Sequence, residues 1–124
     1  MAKARIIEAL GALAQENRLD IFRLLVQRGP GGLAAGDIGR RLEIAAPTLS
    51  FHLAQLRRAG LVKARRASRR IIYSANYRAM RELLAYLTEN CCQGRVEACA
   101  PPAAQVVAAA PVAAQAAARR HASG

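Results

Sequence analysis

The run from Asp37 to Ser74 constrains this chain more than any other stretch. Asp37 to Leu42 carries a short helical pattern, a turn follows at about Glu43 to Ala46, and Pro47 opens a second helix where its missing N–H costs little. Leu49, Leu53 and Leu56 fall on one face of that second helix, and Gly60 stands in the usual C-cap position. Two helices joined by a tight turn make a helix-turn-helix pattern. Leu61 to Ala64 and Arg70 to Ser74 then read as two strands, with Arg65 to Arg69 as the tip between them. A basic hairpin placed directly after a helix-turn-helix is a wing.

The flanks add helices to this centre. Ile6, Ile7, Leu10 and Leu13 recur at helical spacing, and a further helix is expected from about Glu16 to Gln27 with Leu19, Phe22, Leu25 and Val26 on its apolar side. Gly29-Pro30 ends it, the glycine as a left-handed cap, and Gly31-Gly32-Leu33 is a short connection with room for one bridge of strand. Asn76 can cap a last helix that lines up Tyr77, Met80, Leu83, Leu84, Leu87 and Cys91 along one stripe. The fold class is therefore mainly α with a small β-hairpin: four helices, two strands and a closing helix in a winged helix-turn-helix. Ala34 and Ala45 stand where side-chain caps are common, so the two central helices should be held more by packing than by caps; each missing cap costs roughly 1 kcal/mol.

Three segments follow from this reading. Residues 1–92 are expected to form one winged helix-turn-helix domain for DNA binding and dimerisation, 93–99 a cysteine-bearing segment, and 100–124 an Ala/Pro-rich tail expected to be disordered or loosely helical. No export signal and no apolar run of about 18 residues is visible, so no membrane partner is expected. Cysteines without an export signal imply a reducing cytoplasm.

Charge points to the partner. The chain carries 19 basic and 8 acidic residues, a formal +11, and no Asp or Glu occurs between Glu43 and Glu82. Nine basic residues occupy that interval, and clustered basic charge marks a polyanion, most commonly nucleic acid. With Leu49, Leu53 and Leu56 turned inward, Pro47, Phe51, Ala54 and Arg58 face outward from the second helix, and Thr48, Ser50 and Gln55 lie on its flanks. Such a helix enters the major groove of double-stranded DNA, where these polar side chains can bond base edges or phosphates and Phe51 can touch thymine methyls or pack on a neighbouring helix. His52 sits nearer the buried face and is expected to bond backbone there rather than to ligate an inducer, with a phosphate contact as a further option. Arg65, Arg66, Arg69 and Arg70 are expected to grip phosphates or enter the minor groove from the wing tip.

The segment Pro47-Thr48, Ser50-x-His52-Leu53, Leu56 and Ala59-Gly60-Leu61-Val62, followed by the basic hairpin, resembles the ArsR/SmtB family of winged-helix repressors. Ala12-Leu13-Ala14 and Arg18-Leu19-x-Ile21 are similar to that family's first two helices, and the resemblance spans about residues 5 to 92. It implies a cytoplasmic homodimer, built from the first and last helices, that represses an operon and leaves its operator on binding an inducer. Two familiar inducer sites of the family are missing. Residues Leu33 to Asp37 hold no thiol where many members place a cysteine pair, and the last helix has no His; the only histidines are His52 and His121.

What remains is CCQGRVEAC, with Cys91, Cys92 and Cys99 as the only thiols of the chain. The segment resembles that of an arsenite-responsive branch of the family. Three thiolates without a fourth ligand suit zinc poorly, whereas As(III) and Sb(III) take three sulfurs in a pyramid. Gln93-Gly94 lets the chain turn so that Cys99 can return to the pair. Other readings of the same thiols are a redox or persulfide switch, a methylated arsenical on two thiols, another soft ion, or packing alone in a constitutive DNA-binding protein. No permanent cofactor is expected. An arsenate-reductase loop would need an Arg where Glu97 and Ala98 stand, so an enzyme is not expected.

Overall fold

In a computed structural model, which describes residues 2–95, the chain runs α1 (Lys3–Leu13), α2 (Glu16–Arg28), β1 (Leu33–Ala34), α3 (Ala35–Leu42), α4 (Ala46–Arg58), β2 (Val62–Ala67), β3 (Arg70–Ala75), α5 (Tyr77–Leu87) and a 3₁₀ turn (Cys91–Gly94). The expected winged helix-turn-helix is present, with α3 and α4 as the helix pair and β2–β3 as the wing. Cys99, His121 and the 100–124 tail lie outside the described residues.

Packing holds the helix pair. Ile21 and Leu25 from α2, Ile38 and Leu42 from α3, Leu53 and Leu56 from α4, and Leu61 after it are the most deeply buried large side chains. Burying each contributes about 1.5–3 kcal/mol. Neither α3 nor α4 has a side-chain cap at Ala34 or Ala45, as expected, and Pro47 sits in the first turn of α4. The end of α4 is closed by backbone alone. Gly60, at φ +78°, donates to the Arg57 carbonyl at 2.9 Å, and the Leu61 N–H reaches the Leu56 carbonyl at 3.0 Å. This pair of bonds is a Schellman motif, and only glycine adopts its left-handed corner without steric cost.

The sheet is larger than a hairpin. Its order is β1-β3-β2, all antiparallel, with Leu33 opposite Tyr73 and Ala34 opposite Ile72. Gly32 makes this third strand possible: a Cβ there would stand 2.3 Å from the Tyr73 carbonyl oxygen. The wing also reaches further than the sequence predicts. Pairing continues through Arg65–Ile72 and Arg66–Ile71 to Ala67–Arg70, leaving Ser68 and Arg69 as a two-residue turn with Ser68 at φ +61°. Arg65 and Arg66 are therefore strand residues, not tip residues. Isoleucines on β3 supply the strand preference that the arginine-rich β2 lacks.

Several helical faces differ from expectation. α3 begins at Ala35, two residues before Asp37. Gly29, which ends α2, has a positive φ of +102° but an extended ψ, so it is not a left-handed cap. Leu19 faces outward at 43% exposure, and Ile21 takes the buried position. The α5 stripe divides. Ala79 and Leu83 are buried, while Leu84 and Leu87 are exposed. Ile7 and Leu10 of the adjoining α1 are exposed as well. Asn76 caps α5 as expected, its Oδ1 accepting from the Ala79 N–H at 3.3 Å, and its Nδ2 donates to the Gly60 carbonyl at 2.8 Å.

Candidate DNA-reading face and thiol site

The exposed side of α4 presents Pro47, Thr48, Ser50, Phe51, Ala54 and Arg58, with Gln55 half-buried at its edge. Leu49, Leu53 and Leu56 face the core, so the outward set is fixed by the same packing that fixes the helix. Phe51 is 57% exposed and is held edge-on by His52, with ring centroids 5.6 Å apart. A solvated aromatic beside polar flanks suits contact with an apolar base edge better than core packing.

His52 is buried, and its partner is a side chain rather than the expected backbone. Arg18 Nη1 lies 3.2 Å from His52 Nδ1, while Arg18 Nε donates to the Ala12 carbonyl at 2.7 Å. Arginine can only donate, so Nδ1 accepts and the ring proton resides on Nε2. Burial first, and the Arg18 guanidinium second, push the His52 pKa below its ordinary 6.5. Arg18 thus joins the end of α1 to the reading helix. Its role was not apparent from spacing, because the two residues stand far apart in the chain.

The four arginines of the wing are not equivalent. Arg69, in the turn, is exposed and makes no ion pair among the described residues. Arg66 Nε donates to the Ser68 carbonyl at 3.4 Å, and Arg65 Nη2 to the Gly31 carbonyl at 3.1 Å. Arg70 turns back to the helix pair, donating to Asp37 Oδ2 at 2.8 Å, while Arg40 takes Asp37 Oδ1. Arg40 and Asp37 were missed by sequence reasoning. Their spacing of three along α3 was legible, but the long-range partner Arg70 was not.

The thiol site is only partly built from described residues. Thr88 ends the helical run: its Oγ1 donates back to the Leu84 carbonyl at 2.7 Å, and Asn90 turns left-handed at φ +57°. Cys91 and Cys92 consequently lie beyond α5, in the 3₁₀ turn, and not on its stripe. Their sulfurs are 3.4 Å apart, well beyond the ~2.05 Å of a disulfide. Cys92 is exposed and Cys91 half-buried. Among the described residues no three potential metal ligands converge, and Cys99, the expected third sulfur, lies outside them. No helix among the described residues is long and apolar enough to cross a membrane.

A helix-turn-helix domain model matches residues 13–65. The transcriptional activator HlyU of Vibrio cholerae is 39% identical over 84 residues, covering 65% of this chain and 75% of HlyU. A solved structure of that protein superposes with TM-score 0.56 at 38% identity, covering 70% of this chain and 97% of the other; one of its reduced form gives 0.55, with 68% and 88% covered. The transcriptional repressor BigR of Xylella fastidiosa gives 0.54 at 30% identity, with 71% and 88% covered. A homodimeric winged helix-turn-helix DNA-binding domain from Mycobacterium bovis, a possible ArsR-family regulator, gives 0.58 at 26% identity, with 80% and 89% covered.

Proposed function

The chain belongs to the ArsR/SmtB family of winged-helix transcriptional regulators, and from that premise we propose that it is a metalloid-responsive repressor. In this reading it binds operator DNA as a homodimer in the cytoplasm. It leaves the DNA when As(III) or Sb(III) is bound by Cys91, Cys92 and Cys99.

The observation that carries the DNA-binding half is the outward face of α4, rigidly backed by core leucines and flanked by a basic wing. Two copies would present two such helices about one turn of DNA apart. Dimerisation is supported by the exposed apolar side chains Ile7, Leu10, Leu84 and Leu87 on the adjoining α1 and α5. A second copy would remove them from water. The relative from Mycobacterium bovis is itself homodimeric.

The sensing half is supported by the two sulfurs 3.4 Å apart on an exposed turn just beyond α5. Both thiols are accessible to a soft ion, and closure of Cys99 onto them would pull on the end of a helix at the proposed dimer contact. A small rotation between subunits would then mis-space the two reading helices. The coupling needed is on the order of 1–3 kcal/mol.

A second reading, a thiol redox or persulfide switch on the same cysteines, draws support from the likeness to HlyU, a protein whose reduced form has been singled out structurally. Fluorescence anisotropy of a labelled duplex from the chain's own promoter separates the two. Release by arsenite under reducing conditions, at about one ion per subunit and lost in Cys91→Ser or Cys92→Ser, is the expected result. Binding unmoved by arsenite but abolished by oxidant or persulfide would establish the redox switch instead.

A further inference from the structure

We propose that the corner between α3, α4 and the wing is a seat for a DNA backbone phosphate, formed by Arg40, Arg70 and Ser50, with Asp37 as the internal counter-ion that occupies the arginines when DNA is absent. This rests on the reading of the chain as a DNA-binding regulator and adds two residues, Arg40 and Asp37, that lie outside both the reading helix and the wing.

The corner is a groove of about 530 Å³ lined by Ala34, Ala35, Gly36, Arg40, Ser50 and Arg70, among others. Its donors come from three elements. Arg40 belongs to α3, Ser50 to the flank of α4, and Arg70 to β3. A group seated there lies alongside the face of α4 that meets the major groove, where a backbone phosphate would run. The floor is made of small residues. Ala34 and Ala35 carry only a methyl group, and a Cβ at Gly36 would approach the Arg40 guanidinium to 3.4 Å. The start of α3 has no side-chain cap, so its first N–H groups add partial positive charge to the same corner.

The ion pairs define a resting state. One carboxylate serves two guanidinium groups, Arg40 on Oδ1 and Arg70 on Oδ2. The set therefore keeps a net positive charge. The arginine side chains remain 74% and 60% exposed, and each guanidinium has five donors, of which the carboxylate takes one. Exposed pairs of this kind are weak and exchange readily. A phosphodiester can accept from the unused donors or displace the carboxylate. Asp37 is the only acidic residue between Asp20 and Glu43, so its placement under two arginines tempers the most basic part of the molecule.

The test is the salt dependence of duplex binding by the full-length protein, on both its promoter duplex and a scrambled one. Replacing a phosphate contact lowers the slope of log K against log salt by about 0.9 per contact, so Arg40→Ala and Arg70→Ala should each flatten it by about two per dimer and weaken both duplexes alike. Asp37→Asn should tighten binding to both duplexes. Arg78→Ala, remote on α5 and paired with Glu82, should leave the slope unchanged. A wild-type slope in Arg40→Ala and Arg70→Ala, or weaker binding by Asp37→Asn with an unchanged thermal melt, overturns the seat while DNA binding stands. Failure of the wild type to bind any duplex would overturn the DNA-binding reading itself, and the seat with it.

Discussion

The reading helix α4 and the cysteine turn that follows α5 are built on opposite principles. In α4, Leu49, Leu53 and Leu56 are 3% exposed or less, and every outward side chain inherits a fixed direction from them. The turn Cys91–Gly94 has no buried residue, and Asn90, Cys92 and Gln93 adopt left-handed backbone at φ +57°, +55° and +54°. For Cys92 and Gln93 that conformation costs roughly 1–2 kcal/mol per residue, whereas the short polar side chain of Asn90 tolerates it. The proposed DNA-reading surface is thus complete before any partner arrives. The turn Cys91–Gly94 adds nothing to the buried core, and a bound ion would give it contacts of a different kind. The proposed inducer-released repressor would need this division, because its operator-competent state must be the default and the inducer must do the work of leaving it.

The strongest way to break the comparison is to remove packing beneath the reading helix. Leu53→Ala empties a site that is 1% exposed at the centre of the core. It should cost about 2–5 kcal/mol, lower the melting temperature steeply and weaken duplex binding without altering any outward residue. Thermal melts beside anisotropy titrations measure both. Unchanged stability in this variant would mean that α4 is not held from beneath.

A smaller effect is expected from the polar tie between α1 and α4. The His52 pKa lies below 6.5 in the folded chain, through burial and then through Arg18. Below pH 6.5 the unfolded chain takes up a proton that the folded chain does not, so this group's stabilising contribution is full above 6.5. It declines as pH falls toward the folded pKa and changes no further below it. Melting temperature against pH should show that decline in the wild type and lose it in His52→Gln. Arg18→Met should retain most of it, because burial is the larger cause. A His52→Gln profile parallel to the wild type would assign the acid sensitivity to other groups.

The two regions also differ in how far the sequence disclosed them. The spacing of Leu49, Leu53 and Leu56, with Pro47 before and Gly60 after, is local information, and α4 is legible from it. Asn76 as a cap is equally local. The length of the wing was not legible, since β2 is written in arginines whose strand state depends on Ile71 and Ile72 across the ladder. The ties Arg18–His52 and Arg70–Asp37 join residues more than 30 positions apart, which no periodicity reveals. The three cysteines were visible as a cluster, but the helix was expected to carry its stripe through Cys91. Thr88 and the left-handed Asn90 end it earlier, and this takes Cys91 off the helix and sets it, with Cys92, on a turn beyond it.

The smallest expected effect on stability is the most telling one. Cys91→Ser and Cys92→Ser alter positions with no place in the core, so their unfolding free energies should stay within about 0.5 kcal/mol of wild type. Their affinity for the promoter duplex should be unchanged as well, because no element of the reading face rests on the turn. The same substitutions should abolish release by arsenite. A loss of affinity in the absence of arsenite would mean that the turn already supports the DNA-competent dimer, and the contrast between a finished reader and an unfinished sensor would fail. Intact affinity combined with lost release would locate the response in a turn that buries no residue of the described fold.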